Sequence, residues 1–211
     1  MRVDHVSYAS EPDGLRATAA RLSKLIGVAA IDGGVHPRFG TRNIIIPLAK
    51  DHYVEVVEVL DHPASDKAPF GQAVRARSLD GGGWLGWVIA VDDIRPIEKR
   101  LGRDAVAGNR HRPDGTELRW RQLGIKGLIA DPQVPYFIEW DDMMVHPSAG
   151  ADSTATIQNL QIAGDPKRVR EWLGPQESFD KEDIDFTFVA PHGQPGLLSV
   201  TFDTAEGLVI I

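Results

Sequence analysis

No cysteine occurs in these 211 residues. That excludes disulfides, thiolate metal ligation and cysteine nucleophiles, and leaves histidine, aspartate and glutamate as candidate metal ligands. Long apolar runs are also missing: none approaches the roughly 18 residues needed to span a bilayer. The opening Met1-Arg2-Val3-Asp4-His5 is not a basic region followed by an apolar stretch, so a cytoplasmic protein without a membrane partner is expected. Sustained positive charge is absent too, since 23 Lys and Arg stand against 30 Asp and Glu, a net charge of -7. The densest basic stretch, Arg103 to Arg121, is interrupted by Asp104, Asp114 and Glu117, so no nucleic-acid footprint is expected. No GxSxG elbow or GxxxxGK[ST] loop occurs, and no glycine-rich stretch opens a helix as a dinucleotide-binding GxGxxG fingerprint would. Gly81-Gly82-Gly83 reads as a flexible joint between modules.

What is present is a repeat. The segments beginning at Asp4, Gly86 and Gln158 each read as a short strand, followed by a polar turn and a helical pattern that ends near Gly27, Gly102 and Gly174. Closing strands recur at Tyr53-Val54-Glu55, Phe137-Ile138-Glu139-Trp140 and Gly207 to Ile211. Glu55 lies 50 residues after His5, and Glu139 lies 52 after Trp87. A His-Pro pair follows seven residues beyond each glutamate, at His62 and His146. The fold class expected is α+β: tandem βαβββ modules pair into a curved, open mixed sheet around a cavity, with a third C-terminal module-like unit. The boundaries are residues 1–80, 81–147 and a divergent 154–211.

In the first module Leu15, Ala19, Leu22 and Ile26 form one apolar helical stripe. Ser10 is a candidate cap, Pro12 suits the first turn, and Gly27 can end the helix in a left-handed conformation. Strands are expected near 29–31, 43–48 and 53–60, the last two joined by a turn at 49–52. In the second module a helix is expected over 93–101, and in the third over 165–173 with Pro166 at its first position.

Strand alternation sets Glu55 on one face with Tyr53, Val57 and Val59, where a buried carboxylate needs a partner. The same period places His5 with Val3 and Ser7, so His5 and Glu55 can share a concavity. A pseudo-twofold mate contributes Trp87 and Glu139. One imidazole with two carboxylates suits a divalent ion such as Zn, Mn, Fe, Co or Ni, giving a metal set of His5, Glu55 and Glu139. Glu55 or Glu139 is the candidate proton-transfer base. Arg42 and Asn43 are placed to orient a carboxylate or carbonyl substrate at the cavity mouth. Arg119, Trp87 and Trp140 complete the candidate substrate contacts. His62 and His146 are expected in loops rather than on a metal, and His36, His52, His111 and His192 fall in loop contexts without metal-ligand spacing.

The paired glutamates and the βαβββ pattern resemble the vicinal-oxygen-chelate superfamily. Gly34-Val35-His36-Pro37-Arg38-Phe39-Gly40-Thr41-Arg42-Asn43, Tyr53-Val54-Glu55 and Pro135-Tyr136-Phe137-Ile138-Glu139-Trp140 are similar to its glyoxalase-like domain family, over residues 1 to about 145. The resemblance implies a ligand site between paired modules whose metal positions fall on His5, Glu55, Trp87 and Glu139. A tryptophan there departs from the four-residue metal set. Two functions stay open: a divalent-metal-dependent lyase, isomerase or epimerase acting on a small oxygenated metabolite, and a metal-free protein sequestering an aromatic or antibiotic-like molecule. A third module without a mate has a sheet face to cover, either by docking onto the pair or in a homodimer.

Overall fold

The computed structural model describes residues 1–174, 183–190 and 193–211. Its first half comprises β1 (Arg2–Ala9), α1 (Leu15–Ile26), β2 (Ile31–His36), β3 (Thr41–Pro47) and β4 (Tyr53–Val59). The predicted stripe of α1 is buried, and Gly27 closes the helix at φ 75 as expected. Gly14, not Ser10, is the N-cap. The β3–β4 hairpin turns through Lys50 and Asp51, both at positive φ, the backbone signature of a tight two-residue hairpin loop.

Two helices unforeseen in the sequence follow: α2 (Pro63–Lys67) and α3 (Pro69–Leu79). The α3 segment buries Phe70, Gly71, Ala73 and Val74 but exposes Ala76 and Leu79, so its sequence lacks a strong amphipathic period. A side chain at Gly71 would collide with the Phe39 carbonyl oxygen, 2.6 Å from an added Cβ; the close approach is what seats α3.

The second half comprises β5 (Gly83–Ala90), α4 (Arg95–Leu101), β6 (Val106–His111), β7 (Glu117–Leu123), α5 (Gly127–Ala130) and β8 (Tyr136–Trp140). Gly81, Gly82 and Gly83 all hold positive φ, so the expected joint is a defined turn into β5. The two halves repeat one topology, and eight strands run in the order β1-β4-β3-β2-β6-β7-β8-β5. This corrects the expected open sheet: the barrel is closed. One seam is the antiparallel β1–β5 pair; the other is a single bridge between Val35 and His111. Gly34 permits that bridge, because an added Cβ there would meet the His111 carbonyl oxygen at 1.8 Å.

The C-terminal unit contains β9 (Thr156–Ala163), α6 (Pro166–Leu173), β10 (Asp185–Val189), β11 (Gly196–Thr204) and β12 (Gly207–Ile210). Asp165 caps α6 ahead of Pro166. Its sheet order is β10-β9-β11-β12, whereas each barrel half sets its first strand beside its fourth. The unit therefore shares the strand–helix opening of the repeat but not its topology. Its apolar face packs on the barrel's outer layer: Phe202 lies against Trp84 with centroids 6.4 Å apart, and Phe186 against Trp87 at 5.3 Å. Among the described residues no helix is long and apolar enough to cross a membrane.

Candidate functional site

The site begins with a β-bulge. Along β1, Val3 pairs with Ile89 but His5 pairs with Val88, leaving Asp4 as an extra residue. Both Val3 and Val6 then join the outer core, while Asp4, His5 and Ser7 are all drawn inward. Alternation alone had placed Asp4 opposite His5, and the bulge overturns it.

Asp4 is fully buried and is a hub. His5 Nδ1 lies 2.9 Å from Asp4 Oδ2, His146 Nε2 lies 3.3 Å from Oδ1, Trp140 Nε1 donates at 3.1 Å and Arg2 pairs at 3.0 Å. Burial alone would raise the Asp4 pKa; hydrogen bonds from His146 and His5 outweigh it and hold the carboxyl far below the usual range. An ionised Asp4 only accepts, so Nδ1 of His5 carries a proton and Nε2 faces the interior. Tyr136 Oη stands 3.2 Å from that nitrogen.

Glu55 faces the same space. Its Oε2 accepts from Ser7 Oγ at 2.9 Å and its Oε1 from Asn43 Nδ2 at 2.8 Å, with His5 Nε2 at 3.9 Å and His36 Nε2 at 3.8 Å. Burial pushes its pKa up, but the facing His36 and His5 and the two hydrogen bonds leave it lowered. Burial raises the Tyr53 and Tyr136 phenols well above 10, so both remain protonated. The cavity is lined on the far side by Arg110, Trp120, Gln122 and Ile138. Its free volume is about 20 Å³, room for about one water molecule. Phe39, Phe70 and Gln122 separate it from an outer groove that they also line.

The register decides which predicted residues meet. His5 pairs with Tyr53 and Val88 with Tyr136, so Val88, not Trp87, is the counterpart of His5. Two residues beyond each tyrosine stand Glu55 and Ile138, so Ile138, not Glu139, matches Glu55. Glu139 lies on the outer face and accepts from the Ile94 backbone N–H at 2.6 Å, at the start of α4. Trp87 lies in the outer core with its Nε1 donating to the Gln133 carbonyl at 3.1 Å. A one-residue slip reverses both faces. Arg42 pairs with Glu58, and Arg119 with Glu117, away from the cavity. Of the predicted contacts, His5, Glu55, Asn43 and Trp140 come together.

The metal set His5, Glu55 and Glu139 is thus not assembled. Opposite the two donors of the first half stand the alkyl groups of Val88 and Ile138, and both Glu55 oxygens already accept protein hydrogen bonds. Among the described residues no group of three or more His, Asp or Glu is placed to hold a metal. The residues present do not fit the four-donor site that the resemblance implied.

Sequence reasoning missed Asp4, His36, Arg110, Tyr136 and the burial of His146. Val3 and Val6, three apart on one strand, were the only trace of the bulge. His62 is an exposed cap of α2, as its loop context suggested, whereas its spacing mate His146 is fully buried on Asp4. His192 lies outside the described residues.

His36 gives the cluster a pH dependence. Its Nδ1 faces Thr41 Oγ1 at 2.8 Å and Asn43 Nδ2 faces its Nε2 at 3.3 Å, a neutral ring. Burial drops its pKa from 6.5 to about 4, against the pull of Glu55, and burial does the same for His52. The unfolded chain therefore binds more protons between those values. Stability is full above about pH 6.5 and falls as pH drops toward 4, by on the order of 2–3 kcal/mol for His36. Urea unfolding at pH 7 and pH 5 measures this, and His36→Gln is expected to flatten the difference; an unchanged slope would refute the assignment.

A paired-βαβββ barrel with its polar cluster on the first half's opening and closing strands defines the class as vicinal-oxygen-chelate. The glyoxalase-like domain family matches residues 3–177, and the chain belongs to it. No curated protein matches. A solved structure of a hypothetical protein from Staphylococcus aureus is similar at a TM-score of 0.73 and 15% identity, covering 97% of this chain and 92% of that one. The whole architecture, C-terminal unit included, therefore recurs elsewhere. Methylmalonyl-CoA epimerase from Mycobacterium tuberculosis is similar at a TM-score of 0.42 and 13% identity, over 65% of this chain and 85% of that one. A variant of the Streptomyces coelicolor methylmalonyl-CoA epimerase, in complex with 2-nitronate-propionyl-CoA, gives 0.45 and 14%, over 69% and 97%.

Proposed function

We propose that this protein is a proton-transfer enzyme of the isomerase, epimerase or lyase class, acting on a small oxygenated metabolite inside the barrel, with His5 as the base. The observation that carries this reading is the buried Asp4–His5 pair, whose Nε2 faces the cavity beside Glu55 and the Tyr136 hydroxyl. A carboxylate behind an imidazole fixes its tautomer and stabilises the imidazolium formed when it accepts a proton. In the reaction His5 Nε2 takes a proton from the carbon next to a carbonyl. The bonding pair passes to the carbonyl oxygen as an enolate, and the proton returns to the same or an adjacent carbon. Nothing is oxidised or reduced. The Tyr136 phenol, protonated and within reach of the same nitrogen, is the donor that steadies the resting base. Ser7 and Asn43 hold Glu55 as a fixed negative charge that favours the imidazolium.

The test is deuterium wash-in. A panel of small 2-oxo acids, hydroxy aldehydes and hydroxy ketones is incubated with protein in D2O and followed by proton NMR. At least one compound is expected to exchange the proton next to its carbonyl, and His5→Gln is expected to slow this by about 10²- to 10⁴-fold. Equal exchange by the variant, or none above blank with any compound, would remove the reading.

A further inference from the structure

Arg110 sits near the end of β6 with 2% of its surface exposed. A guanidinium stays charged in any protein and carries five donors, and an unpaired buried charge is costly. Yet among the described residues the Arg110 guanidinium makes a single long hydrogen bond, from a terminal nitrogen to Asn43 Oδ1 at 3.4 Å. Its Nε–H has no partner, and among the described residues no carboxylate lies within the 4.0 Å of an ion pair. The side chain lines the cavity with His5, His36, Tyr53 and Glu55. Burial lowers its pKa, partly offset by Tyr53 and Glu55.

The two halves of the barrel divide the labour. On the first, His5, Ser7, Asn43 and Glu55 point inward. On the second, the matching positions hold Val88, Ala90, Trp120 and Ile138, and the only inward cation among the described residues is Arg110. From this geometry we infer that Arg110 is the receptor for a carboxylate or enolate oxygen of the substrate, so that the site takes small carbonyl compounds bearing a carboxylate. This rests on reading the interior as the substrate site. The guanidinium supplies the positive charge that a metal would otherwise bring to the developing oxyanion, by preorganised hydrogen bonding rather than coordination.

The probes are formate, acetate and glyoxylate at constant ionic strength. In nitrogen-15 spectra of the wild-type protein the Arg110 Nε–H signal is expected to shift saturably with at least one of them. The same anion is expected to raise the melting temperature. Arg110→Lys keeps the charge but loses the fork and is expected to bind at least ~10-fold more weakly; Arg110→Gln should show no saturable binding, while Arg119→Gln on the outer surface binds as wild type does. His5→Gln should retain anion binding while losing deuterium wash-in, which separates this inference from the proton-transfer reading. An unmoved Nε–H signal with all three anions, or equal binding by Arg110→Gln, would overturn it.

Discussion

Asp4→Ala is expected to lower the free energy of unfolding by about 3–5 kcal/mol, the cost of removing one partner from a buried ionic network. Four groups lose their acceptor at once: the His5 ring, the His146 ring, the Trp140 indole and Arg2. The two rings cannot turn to water where they stand, since His146 is fully buried and His5 is 2% exposed. An unsatisfied buried donor costs about 1–3 kcal/mol, so relaxation of the loop carrying His146 must limit the total. Asp4→Asn keeps the shape and is expected to cost less. However, its amide nitrogen cannot accept, so it serves one ring and not both, and His5 loses the constraint on its tautomer. Urea unfolding at pH 7 gives the number. A loss under about 1 kcal/mol for the alanine variant would mean that Asp4 is not the hub its contacts describe.

The second large effect is a gain. Val88→His with Ile138→Glu, in an Arg110→Gln background that removes the repelling charge, is expected to create a site for Ni or Zn with a Kd near ~1 µM, about 8 kcal/mol of binding free energy. His5 and Val88 are direct cross-strand partners, so two imidazoles there would sit about 4.5–5.5 Å apart at Cβ. Ile138 stands where the second half would otherwise offer the mate of Glu55. The metal-free variant should be less stable than wild type because it buries unpaired polar groups, and the ion should restore the melting temperature. Trp87→His, which retains Glu139, is the control for register and should bind nothing, because both side chains point outward. Calorimetric titration decides between them: stoichiometric uptake by the control, or none by the designed pair, would contradict the symmetry assignment.

That register shows how far the sequence could be read. The strand–helix repeat, the apolar stripe of α1, the cap at Gly27, Pro166 at the first position of α6, and the shared concavity of His5 and Glu55 all follow from periods and local chemistry. The second half was misaligned because Glu139 resembles Glu55 in type. The true counterparts, Val88 and Ile138, keep the 50-residue separation of His5 and Glu55, whereas Trp87 and Glu139 are 52 apart. The two-residue excess was visible, and chemical likeness outweighed it. Asp4 was hidden for another reason: a bulge breaks the period of two, and only the pairing of β1 with β5 reveals it. Arg110 stands in a basic stretch that reads equally as a solvated face or a pocket rim, and its burial depends on closure of the barrel by a contact 76 residues apart in the chain, Val35 with His111. Helix α3 was missed because its buried face includes Gly71 and Ala73 and its exposed face Ala76 and Leu79, which leaves little amphipathic period.

The closure itself is uneven. Seven residue pairs join β1 to β5, and one joins β2 to β6. The barrel is bound like a book, with a sewn spine and a single clasp at the fore-edge. The walls of such a barrel part most cheaply where the fewest backbone bonds are broken. The clasp lies next to His36 and Arg110, and Phe39 follows it in the chain. His36 and Arg110 thus sit at the edge where the backbone resists parting least, and the Asp4–His5 pair sits on the sewn spine.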